Sequence, residues 1–199
     1  MQRKHLFYFS FILMLSFSGK LKAQNTMEKL PYRQIPATPD TYTPGNVAAR
    51  MIDALGFRYY WATEGLRAED FDYKPSTNAR TTRETLDHID GLVIYINNAV
   101  KKQTNFRKTK EKTLFSVQRK QTLLLLKEAS DLLRQSSAEE IENFTMIFDG
   151  REKAYPFWNI LNGPVADALW HVGQVVTFRR ASGNPIDSQV NMLLGKRKE

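Results

Sequence analysis

Residues Thr81–Val100 read TTRETLDHIDGLVIYINNAV, and this stretch decides the fold class. The Thr81 hydroxyl can cap a helix, and Glu84 three residues later completes a capping box. Leu92, Tyr95, Ile96 and Ala99 then recur at helical spacing, so the stretch predicts a long helix with one apolar face. His88 stands on that same face.

Three further segments read the same way. Upstream, Asn46–Leu66 places Val47, Met51, Leu55, Tyr59 and Ala62 at helical spacing, behind Thr43-Pro44-Gly45. Arg67–Thr77 is then a loop. Downstream, Leu114–Gln135 buries the run Leu123–Leu126 together with Ala129, Leu132 and Leu133. The last long helix is expected from Pro164, a residue suited to a first helical turn, to Ser182-Gly183-Asn184-Pro185. Between these, Ser137–Glu140 is a second capping signature, and Phe144–Phe148 and Lys153–Phe157 flank Asp149-Gly150 as a small β-hairpin. Four long amphipathic segments with polar connections predict an all-α protein, a four-helix bundle.

The ends of the chain read differently. Residues 1–23 carry Arg3 and Lys4 and then Leu6–Phe17, twelve residues almost uninterruptedly apolar. That is shorter than the ~20 residues a spanning helix needs and suits a signal peptide, ending at Ala23. Residues 24–44 hold half of the eight prolines and read as an extended arm. The bundle occupies 45–185, and 186–199 is a C-terminal tail. The expected location is therefore outside the cytoplasm, most simply the periplasm, with no stable membrane insertion after cleavage.

The formal charge of +8 invites a nucleic-acid reading. Four of the basic residues and no acid lie in the signal segment, so the mature balance falls to +4. Much of the remainder is Lys101–Lys112, expected to be solvated just past a helix C-terminus, and it does not interleave with aromatics. Nucleic acid is therefore not an expected partner. Cysteine is absent, which excludes disulfides, thiolate nucleophiles and Cys-ligated metals.

The polar residues on the apolar faces carry the chemistry. In the last helix, Asp167, His171, Gln174 and Phe178 share one face with Trp170 and Val175, read as the core-facing stripe. A carboxylate and an imidazole there need partners. His88, Asp167 and His171 can form a three-ligand metal site, since an i, i+4 pair points both groups over one side of a helix. Zn²⁺, Fe²⁺, Ni²⁺ and Mn²⁺ all suit two imidazoles and a carboxylate. Equally, Asp167 can accept hydrogen bonds from the two histidines in a metal-free polar cluster. Gln174 is either a packed hydrogen-bonding residue or a supporting contact to the site. Glu84 lies one turn before His88, and its cap role already accounts for it.

RTTRETLDH over Arg80–His88 resembles the W-S-x-x-E-x-L-x-H region of DinB/YfiT-like proteins. FDYKP over Phe71–Pro75 resembles that family's D-x-x-P lead-in loop, and DALWHVGQ over Asp167–Gln174 resembles its closing H-x-x-x-H-x-G-Q. The resemblance spans roughly 46–185. It implies a four-helix bundle in which His88, Asp167 and His171 bind a divalent metal; Gln174 and Glu84 are the candidate supporting residues beside them. Two positions depart from the pattern: Asp167 stands where a histidine is usual, and Arg80 where a tryptophan is usual. The family implies a metal-dependent hydrolase, here expected to be exported on the signal segment and to act on a small molecule, with a homodimer compatible. A non-catalytic bundle with a structural or degenerate metal site and a thiol-dependent S-transferase are the competing readings. Export away from cytosolic thiols counts against the transferase.

Overall fold

The computed structural model describes residues 29–107 and 113–198, so the expected signal peptide at 1–23 and part of the Lys101–Lys112 stretch lie outside the described residues. The chain is mostly helical, with small strand pairs. Its elements in order are α1 (Pro44–Thr63), α2 (Ala68–Asp72), α3 (Thr82–Val100), β1 (Thr104–Asn105), α4 (Phe115–Gln135), α5 (Ala138–Glu142), β2 (Thr145–Phe148), β3 (Tyr155–Pro156), α6 (Phe157–Ile160), α7 (Ala166–Ala181), β4 (Val190–Asn191) and β5 (Lys196–Arg197). A π-helical turn, Leu161–Val165, joins α6 to α7.

α1, α3, α4 and α7 surround one apolar core, with α1 and α3 each packed against both α4 and α7. Polar contacts set their directions. Arg119 at the start of α4 reaches Tyr60, Thr63 and Glu64 at the end of α1, while Arg134 at the end of α4 reaches Asp53. These two helices are therefore antiparallel. Asp87 with Gln118 and Asn97 with Leu125 place α3 parallel to α4. Arg179 in the last turn of α7 donates to the carbonyls of Trp61, Ala62 and Glu64, so α7 runs parallel to α1.

The capping box of α3 forms as expected: Thr81 Oγ1 accepts from the Glu84 amide at 3.1 Å, and the Glu84 carboxylate accepts from the Thr81 amide at 2.8 Å. The hairpin expected at 144–157 also forms, Thr145 opposite Pro156, and β1 adds to it in parallel as an unforeseen third strand.

Several expectations need correction. In α1 the buried arc is Ala48, Ala49, Ile52, Leu55 and Tyr59, whereas Val47 and Met51 are exposed. Both sets satisfy the same period, and the neighbours α4 and α7 choose between them. Of Leu123–Leu126 only Leu123 and Leu126 are fully buried, because a helix cannot turn four consecutive side chains inward. The expected loop after α1 contains α2, held by Arg67 and Asp70. Pro164 does not open the last helix but sits inside a continuous one. Proline has no N–H to donate to the preceding turn, and the wider π-turn accommodates that loss. Lys101, expected to be solvated, pairs with Glu128 at 2.9 Å, and Lys102 lies over the Phe144 ring.

The arm and tail are not loose. Tyr32 is buried against Gly56, where any Cβ would meet the tyrosine ring at 2.4 Å, so the glycine there is a packing requirement. The Tyr32 hydroxyl donates to Asp53, and the Ile35 amide donates to the Gly195 carbonyl in the turn between β4 and β5. The tail thus folds as a hairpin against the arm. No helix among the described residues is long and apolar enough to cross a membrane.

Two consequences follow from these buried charges. Asp53 is fully buried between Arg134, Ser130 and Tyr32. Arg134→Ala leaves that carboxylate without its counter-charge and is expected to cost about 3 kcal/mol in urea denaturation, whereas Tyr32→Phe costs about 1. Burial alone would raise the pKa of Asp70, but hydrogen bonds from Arg67, Ser182 and Asn184 outweigh it and hold the carboxyl well below its usual range. A depressed carboxylate contributes stability above its unfolded value, lost as the pH falls through the folded one. Stability is therefore expected to decline below about pH 4, with a shallower decline in Asp70→Asn, as read by denaturant titrations at each pH.

Candidate metal centre

His88 lies in the second turn of α3, and Asp167 and His171 lie one turn apart at the start of α7. The antiparallel packing of α3 on α7 brings His88 to Asp167 across 79 residues of sequence. His88 Nε2 is 3.2 Å from Asp167 Oδ2, and His171 Nε2 is 3.2 Å from Asp167 Oδ1. The two imidazoles stand edge to face, with centroids 4.7 Å apart. One ligand atom from each of the three residues lies within 4.8 Å of the others, close enough to hold one metal ion.

The tautomers matter more than the distances. His171 Nδ1 donates to Gln174 Oε1 at 2.8 Å, which leaves the Nε2 of a neutral ring without a proton. A nitrogen lone pair then faces a carboxylate oxygen at 3.2 Å, two acceptors with nothing to share between them unless a cation is present. A divalent ion or a second proton on His171 resolves that clash. A ligating imidazole whose other nitrogen is held by a polar partner is the usual arrangement around a bound metal. Burial lowers the pKa of His88, and the charges of Arg80 and His171 act in the same direction, while Asp167 opposes them. The ring therefore favours its neutral, metal-competent form.

The site is not on the core stripe that the spacing suggested. Val175 and Phe178 of the expected stripe are buried, but the buried side of α7 otherwise runs through Ala168 and Val172, one position round the helix from Asp167 and His171. Trp170, expected in the core, is 72% exposed, and the Asp167 side chain is 44% exposed. The reason is that α3 and α1 both pack on α7, and the arc between them is the one buried. The three residues thus line the rim of the α3–α7 seam, open to solvent. A three-ligand set with an accessible side suits an exchangeable ion better than a closed structural one.

Gln174, a candidate supporting residue, takes that role through its bond to His171. Glu84 does not: its carboxylate is occupied by the amide and hydroxyl of Thr81. The π-turn ending at Val165, two residues before Asp167, was not anticipated, although Gly163-Pro164 is the local signal for a disturbed helix. Glycine 163 and its neighbouring proline place an irregular turn beside the site, as π-turns often do.

Gln174→Ala is expected to weaken Zn²⁺ binding by about tenfold or more in calorimetric titration, leaving the fold intact by circular dichroism. Compared with family models, with curated proteins and with solved structures, the chain matches none.

Proposed function

We propose that the chain is an exported metalloprotein of the DinB/YfiT-like four-helix-bundle type, whose His88, Asp167 and His171 hold a divalent ion for hydrolysis of a small molecule. The observation that carries the metal is the convergence of one ligand atom from each of His88, Asp167 and His171 within 4.8 Å, with Gln174 bonded to the far nitrogen of His171. Support for the family comes from the order and separation of the motifs at 71–75, 80–88 and 167–174, and from helices that bring the matched positions together. Export rests on the signal-like composition of residues 1–23.

A divalent ion held there supplies Lewis acidity to a substrate oxygen or to water. The remaining roles belong to the chain. His88 and His171 present imidazole nitrogens from two helices. Asp167 offers both carboxylate oxygens and offsets part of the ion's charge, which a third histidine would not do. The exposed side of Asp167 leaves room for a substrate to approach. Hydrolysis is preferred over thiol transfer because the chain supplies no cysteine and the expected compartment lacks cytosolic thiols.

A second reading has its own observation: if both rings carry Nε2–H, with the Gln174 amide turned to donate to His171 Nδ1, Asp167 accepts a hydrogen bond from each ring and no ion is needed. Elemental analysis of the purified protein separates the two. About one equivalent of a transition metal is expected, lost on His88→Ala and on His171→Ala. Ester and amide hydrolysis screened with and without chelator then reads the catalytic half; a metal-loaded protein inert in every screen favours the non-catalytic reading.

A further inference from the structure

A second site lies on the opposite side of α7 from the metal centre. Between α1, α7 and the C-terminal hairpin is a cavity of about 950 Å³, floored by Leu169, Val172, Val176 and Met192. Gly173 faces open space, with no atom within 4 Å of where a Cβ would stand. A second cavity of about 750 Å³ continues along α1 toward α5 and α6, lined by Val47, Leu161 and the exposed rings of Tyr42 and Trp158. Met51 lines both, so the two adjoin along the outer face of α1 as an apolar groove with Met51 at its middle.

Its ends differ in charge. Because α7 runs parallel to α1, Arg58 and Arg180 fall together at one end. Arg58 is half-buried and donates only to the Ala54 carbonyl, and Arg180 has no ion-pair partner among the described residues. The acid at that end, Asp187, is already paired with Arg197 at 2.6 Å. At the far end the charged residue is Glu142. The groove is thus cationic at one end and apolar, aromatic and acid-rimmed at the other. Eleven helical residues separate Val47 from Arg58, about 16 Å along the axis. That matches an extended chain of roughly a dozen carbons, allowing for the zigzag of its bonds.

We infer that this groove binds a single-chain amphiphile with an anionic head, a fatty carboxylate, its head between Arg58 and Arg180 and its tail along Met51 toward Trp158. Two unpaired guanidinium groups at the rim of an apolar cavity match one carboxylate. A tail laid along Val47 and Met51 also explains why α1 turns two large apolar residues outward.

The test is calorimetric titration of the protein with dodecanoate. Binding at one per chain is expected, at least about tenfold tighter than dodecanol or butanoate. Arg58→Ala with Arg180→Ala is expected to remove the preference for dodecanoate over dodecanol while leaving dodecanol binding unchanged. Gly173→Leu, which fills the cavity from a helical position with open space, is expected to abolish both, with thermal unfolding unchanged as the control for folding. Absence of dodecanoate binding, or binding indifferent to these substitutions, overturns the inference. So does a dimer by sedimentation that Trp158→Ser dissociates, since the apolar groove then belongs to a second copy. None of these readouts depends on a metal, so they fail or succeed independently of the proposed function.

Discussion

The buried Asp53 carboxylate is the constraint around which the molecule is arranged. It sits on α1 with no exposure to solvent, and three side chains from two separate segments answer it. Arg134 and Ser130 come from α4, and the Tyr32 hydroxyl comes from the arm. A charge in that position is tolerable only while its partners are in place. Meeting that condition sets the register of α1 on α4 and draws the arm along α1. With the arm in place, Ile35 gives the C-terminal hairpin an edge to bind.

The other end of the helices is closed by a guanidinium rather than a carboxylate. Arg179 is buried and donates to three carbonyls at the end of α1 and to the Asn184 carbonyl, while Asn184 and Ser182 hold Asp70. The last turn of one helix therefore satisfies the open carbonyls of another. Held at this end, α7 has little freedom to slide, and the positions of Asp167 and His171 opposite His88 follow. The α3–α7 seam and the α1–α7 groove are the two flanks of the same helix. One flank gathers imidazole and carboxylate; the other gathers apolar side chains and arginine.

Much of this was legible locally. The cap at Thr81, the stop at Gly183 and the hairpin around Asp149-Gly150 are short-range chemistry, decided within a few residues by hydrogen bonds and allowed backbone angles. The ligand pair Asp167 and His171 was equally visible, since i, i+4 on any helix is one side of a turn. Local signals failed where two neighbours compete for one helix. Trp170 and Val47 obey the apolar period of their helices and still face solvent, because period alone does not say which arc is covered. Pro164 carries a signal for a helix start, yet the chain on both sides is helical and the π-turn absorbs it.

By itself, then, the sequence determined the helical segments, their caps, the absence of thiol chemistry and the identity of three residues able to bind a metal. Helix formation and residue chemistry depend on near neighbours, and near neighbours are written in order along the chain. Tertiary structure alone decided that His88 meets Asp167 from 79 residues away. It also decided that Asp167 stays part-exposed and that Gln174 bonds His171 while Glu84 bonds Thr81. Those outcomes depend on the rotation and register of packed helices, which the buried charges of Asp53 and Arg179 set through contacts far apart in sequence.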